Sequence, residues 1–215
     1  MFKIKELGHI LIALILFAFV ISFLQEINVF LISLLIAFII LAVNILAKKI
    51  IAHNLDTEIE QKIWQFQRYG FYARSYSKTP IPMGILLPFL LVWLSYPIGF
   101  FKVFTFLQFD IKAKSSRAAK KHGLYRFSEL TEWHIAAIPL AGIIATLLLG
   151  ITAYIFGGYA SWLPLLAKYS IYYSLWNLLP LGQLDGTKIL FGSRIWWIIL
   201  MIISIIGTGL ALFLI

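Results

Sequence analysis

Four stretches of this chain, residues 8–24, 28–47, 133–157 and 195–215, are apolar for about the 20 residues that a helix needs to cross the hydrocarbon core of a bilayer. A soluble domain would carry roughly 25% charged residues. This chain has 13%, with 61% hydrophobic residues and a mean hydropathy of +0.93. A fifth stretch, residues 161–181, is nearly as apolar but holds Lys168 and ends at Pro180 and Gly182. The pattern predicts an all-α integral membrane protein, one membrane domain with about five transmembrane helices. The first apolar run has no small-residue cleavage site after it and reads as a retained helix.

Residues 80–107 are also apolar, but Pro80, Pro82, Gly84, Pro88, Pro97 and Gly99 interrupt them. Charge arbitrates how they lie. Lys and Arg cluster at Lys3 to Lys5, Lys48 to Lys78, Lys102 to Arg126 and Lys188 to Arg194, whereas the turns at Gln25–Glu26 and Gly157–Tyr159 have none. A full crossing by residues 80–107 would put the seven positive charges from Lys102 to Arg126 outside, against the positive-inside bias. A re-entrant or interfacial segment lining an internal groove removes that conflict and leaves residues 108–130 as a basic cytoplasmic loop. Every basic residue except Lys168 then lies at the cytoplasmic face, with the amino terminus inside and the carboxyl terminus outside. Orientation and anionic headgroups account for the net charge of +9, so the lipid bilayer is the expected partner and nucleic acid is not.

Within this apolar frame, Asn177 to Gly186 (NLLPLGQLDG) ends in a carboxylate, Asp185. A carboxylate at membrane depth is costly and is usually partnered. The second helix and the fifth both run from outside to inside, so Asp185 shares its depth with residues 44–48. Asn177, Pro180, Asp185 and Gly186 resemble the Asn-x-x-Pro-x-x-x-x-Asp-Gly pattern of site-2 proteases, zinc metalloproteases that cut within the membrane. The resemblance covers about residues 40–190, and Ala141–Gly142 is similar to that family's Ala-Gly-Pro helix, with Ile143 in place of proline.

In that family the motif's Asp is a zinc ligand, and an earlier His-Glu-x-x-His helix supplies the other two ligands and the general base. The matching position here is Asn44-Ile45-Leu46-Ala47-Lys48. Asn44 offers a weak neutral oxygen, Ile45 has no proton acceptor and Lys48 has no lone pair. Three good ligands and an open position are needed for catalytic zinc, and Asp185 alone does not supply them. The resemblance therefore implies a pseudoprotease with no cofactor, whose ammonium at Lys48 neutralises Asp185. Asn44, about 40° from Lys48 around the helix, is expected to donate to the same carboxylate. What the fold would retain is binding of a transmembrane or membrane-proximal segment, since pairing an extended peptide requires no zinc. The bland alternative is that Lys48 and Lys49 snorkel at a helix end.

Two other functions compete. Lys5-Glu6-Leu7-Gly8-His9 differs from His-Glu-x-x-His at one position, so an active zinc protease would draw on Glu6, His9 and Asp185. A small transporter would also use broken helices and a buried Asp–Lys pair, but the chain lacks a second half with matching breaks. His53 lies about 140° around the helix from Lys48 and is expected to face water. His122 belongs to the basic loop, and His134 follows an interfacial Trp133 at a helix start that Ser128 or Thr131 can cap.

Overall fold

The computed structural model describes residues 3–23, 25–68, 76–94, 102–113 and 130–214. Seven helices run through these residues: α1 (Ile4–Ser22), α2 (Ile27–Asn54), α3 (Met83–Leu94), α4 (Glu132–Ile155), α5 (Leu163–Leu178), α6 (Asp185–Gly192) and α7 (Arg194–Leu214). Four of them, α1, α2, α4 and α7, are long and apolar enough to cross a membrane. The protein is mostly helical and membrane-inserted. The fifth expected span forms the shorter α5, which begins around Pro164 and stops at Leu178, where Leu179 turns extended ahead of Pro180. Helix α2 runs to Asn54, past the expected end at residue 47, because neither Pro nor Gly interrupts residues 48–54. It stops where Asp56 adopts a left-handed conformation, φ 55°.

The described residues also include four strands, which an all-α reading omits: β1 (Thr57–Ile63), β2 (Phe66–Arg68), β3 (Tyr76–Ile81) and β4 (Leu107–Ala113). Strands β1 and β4 pair antiparallel, with Gln61 opposite Phe109, and β2 pairs with β3. Strand β4 thus takes residues 108–113 of the stretch expected to be a basic loop. In β1 the buried positions are Thr57, Ile59, Gln61 and Ile63, a period of two that charges at the alternate positions obscure. Helix α4 packs against both α2 and α5, α1 packs against α2 and β1, and α7 lies on α5.

Residues 80–107 enter and leave at one point. The backbone N–H of Gly84, at the start of α3, donates to the carbonyl of Trp64 at 2.9 Å, and the N–H of Trp64 donates to the carbonyl of Phe106 at 2.9 Å. A Cβ at Gly84 would overlap the Phe106 carbonyl, so this crossing requires glycine. Farther along, Phe89 stacks on Phe19 at 5.9 Å, and Lys102 Nζ donates to the carbonyl of Ile21 at 2.7 Å. Helix α3 therefore runs alongside α1, and the extended residues 102–106 run back between α1 and α5. The returning limb is held by aromatic packing: Phe17 lies 4.9 Å from Phe104, 5.2 Å from Phe106 and 5.6 Å from Tyr173. Such pairs add about 0.5–1.5 kcal/mol each beyond their buried area. Pro97 and Gly99 lie outside the described residues.

Lys102 corrects the charge-based topology. It was expected at the same face as Lys3, yet it binds the last turn of α1, at the end remote from Lys3. Counting charges by sequence cluster overlooked what a helix carboxyl end provides, unpaired carbonyls and a negative dipole that receive an ammonium.

Candidate functional site

The second half of α2 carries two sequestered polar residues: Asn44 and Lys48 are only 1% and 2% exposed. Opposite it, the chain leaves α5, passes Pro180 and Gly182 (φ +57°) and starts α6 at Asp185. The first turn of α6 presses on the end of α5 so closely that a Cβ at Gly186 would overlap the carbonyl of Leu178. That contact explains the Asp-Gly pair: the glycine lets the helix start there, and the start carries Asp185 into the interior, where it is wholly buried.

Asp185 meets Lys48. Lys48 Nζ lies 2.5 Å from Asp185 Oδ2, with side chains 3% and 0% exposed. The lysine stem passes a gap in α4: a Cβ at Gly142 would stand 2.7 Å from Lys48 Cε and 3.0 Å from Asn44 Nδ2. A larger residue there would have to push the stem aside. Helix spacing brought Asn44 to the same face, but neither its Nδ2 nor its Oδ1 has a hydrogen-bond partner among the described residues, and Asp185 Oδ1 has none either. The expected Asn44-to-Asp185 hydrogen bond is absent. Ile45 is buried beside them within the main apolar cluster.

Asn177 works elsewhere in the motif. Its Nδ2 donates to the carbonyl of Tyr173 at 2.8 Å and to that of Phe104 at 3.2 Å, tying α5 to the returning limb of residues 102–106. Pro180 ends α5 and lets the chain turn toward α6.

Two residues that sequence reasoning did not select complete the site. Lys188, about one turn after Asp185 on α6, lies with Nζ 3.4 Å from the centroid of the Phe109 ring and donates to the Phe109 carbonyl. Phe109 also has Lys48 Nζ 5.1 Å from its ring centroid. Burial pushes the Lys188 ammonium down to about 8, with Asp185 pulling it back up and Lys48 adding to the fall. The i to i+3 spacing from Asp185 was the available signal for Lys188. Phe109 carried none, since it fell in a stretch expected to be a loop.

Glu6 is engaged by a lysine and by a strand. It is 3% exposed, with Lys49 Nζ 2.8 Å from Oε1 and 2.9 Å from Oε2. Oε1 also accepts the backbone N–H of Gln61 at 3.3 Å. Because Gln61 and Phe109 face each other, the N–H turned to Glu6 and the carbonyl turned to Lys188 point away from the shared ladder. Glu6 therefore closes the outer edge of β1, and Lys188 covers one position on the outer edge of β4. His9 Nδ1 is buried without a partner among the described residues. His53 is exposed, Thr131 caps α4 by accepting the N–H of His134, and His122 and Ser128 lie outside the described residues.

The donor set does not suit zinc. One carboxylate already bound to an ammonium, an unpartnered amide and an isoleucine supply neither three ligands nor a base. Among the described residues no three His, Asp or Glu side chains gather closely enough to share a metal ion. No family model, characterised protein or solved structure matches the chain.

Proposed function

We propose that this protein is a membrane-embedded binding protein with a site-2-protease-like fold, in which the Lys48–Asp185 pair stands where that family holds its metal. The observation that carries the reading is the meeting of the two matched segments, residues 44–48 and residues 177–186, at a buried ion pair of 2.5 Å. Gly142 supports it independently, since the helix matched to the Ala-Gly-Pro element contributes the small residue that admits the lysine stem. A carboxylate neutralised by a fixed ammonium cannot polarise a carbonyl or activate water, so the retained capacity is recognition without hydrolysis.

The ligand is a transmembrane or membrane-proximal protein segment that becomes extended at the site and adds to the outer edge of β4. No described strand pairs with that edge, and main-chain hydrogen bonding of this kind needs no catalytic group. The amino terminus lies in the cytoplasm and the carboxyl terminus outside, which puts the pair at the cytoplasmic end of α2.

The test uses the full chain in phosphatidylcholine vesicles with a fluorescent Leu/Ala-rich transmembrane peptide whose flank reads Ser-Val-Gln-Val-Ser. The peptide is expected to associate, measured by energy transfer, and to remain intact with added zinc. Zinc-dependent cleavage that Asp185→Asn abolishes would contradict the reading, as would no association at all.

A further inference from the structure

Charge at the site does not balance. Lys48 and Lys188 bring two ammonium groups to the neighbourhood of one buried carboxylate, Asp185, and Lys48 already occupies it at 2.5 Å. Lys188 forms no ion pair among the described residues. Its contacts are a ring face and a carbonyl, both of Phe109. Lys188 is half-buried, and a partly desolvated cation gains from a carboxylate partner. Asp110, next along β4, is held by Lys62 at 2.5 Å and acts on Lys188 only from a distance. The uncompensated charge therefore faces a carbonyl of β4 that an added strand would also use.

We propose that Lys188 is the specificity-determining residue of the site and that the bound segment is acidic, presenting an Asp or Glu side chain to the Lys188 ammonium. This rests on the proposed binding of an extended segment to β4 and names its chemistry. The arriving strand takes the Phe109 carbonyl with a backbone N–H and frees Lys188 from it. The displaced ammonium then closes on the segment's carboxylate, a charge-assisted contact stronger than the neutral acceptor it leaves. Thr187 Oγ1, adjacent on α6 and also without a partner among the described residues, is a further donor. Lys48 is not available for this role, because drawing it away would strand Asp185.

The experiment repeats the vesicle assay with three peptides that differ only at the middle flank residue: Gln, Glu and Lys. The Glu peptide is expected to bind at least tenfold more tightly than the Gln peptide, and the Lys peptide more weakly than either. Lys188→Met should abolish the Glu preference, so that the Glu and Gln peptides bind alike, and Lys188→Arg should retain the preference. Equal binding of Glu and Gln peptides overturns the acidic specificity while leaving segment binding intact. Failure of all three to associate overturns the binding reading itself, and this proposal with it.

Discussion

Lys48 and Lys49 are adjacent in the chain and each meets a buried carboxylate, yet the two pairs are built differently. Lys48 is buried almost completely, and its ion pair with Asp185 stands without hydrogen bonds, since neither carboxylate oxygen of Asp185 has a hydrogen-bond partner among the described residues. Lys49 is 19% exposed, and its partner Glu6 also accepts the Gln61 N–H. One pair joins two helices in the buried interior; the other closes the edge of a sheet and is partly exposed. The contrast teaches that burial of the acid alone does not set what a pair is worth. Asp185 has one cation at ion-pair distance, whereas Glu6 keeps a second donor, the Gln61 N–H, when its lysine is lost.

Removing the lysines one at a time gives the widest separation. Lys48→Ala should destabilise the protein by about 3–5 kcal/mol, because it leaves a buried carboxylate unpaired. Lys49→Ala should cost less, about 1–3 kcal/mol. Both values are to be read from denaturant unfolding in detergent, and equal losses would erase the distinction. Gly142→Ala should cost roughly 1–3 kcal/mol by crowding the Lys48 stem, and most of that loss should vanish in a Lys48→Ala background. A loss unchanged in that background would move the cause to Asn44.

A pH series sharpens the role of Lys188. Its proton is released near 8 in the folded protein, against an ordinary lysine value of 10.5. Between those values the unfolded chain binds more protons than the folded one, so this residue's contribution to stability rises with pH through that window. The melting temperature of Lys188→Met relative to the parent should fall progressively from pH 8 to pH 10, and a constant difference would show that Lys188 is not desolvated. The smallest effect is expected at the surface. Lys62→Ala breaks a pair whose side chains are 39% and 36% exposed and should change stability by less than about 1 kcal/mol, as high salt should also do.

How far the sequence could be read followed the type of signal. Apolar length is a direct physical requirement, and α1, α2, α4 and α7 lie close to the stretches it marked. The level of Asp185 relative to residues 44–48 was also legible, since two helices running in the same direction place their ends at one depth. Strand β1 was hidden because its alternate residues Glu58, Glu60 and Lys62 look like an interfacial charge run, and it is recognisable only with β4 beside it. Lys102 was misplaced because charge rules assign a side to a cluster and do not see the carbonyl of Ile21 that one member finds. The sequence offers Glu6 only as part of a near-match to His-Glu-x-x-His, whereas its partners lie 43 and 55 positions away in the chain.

The central claim is that Lys48 and Asp185 neutralise each other, and a double-mutant cycle tests it most directly. Unfolding free energies in one detergent are needed for the parent, Lys48→Ala, Asp185→Asn and the double variant. Substantial coupling is predicted, about 2 kcal/mol or more, with the double variant more stable than Lys48→Ala alone. Additive losses would contradict the account and return Lys48 to the status of a basic residue at a helix end.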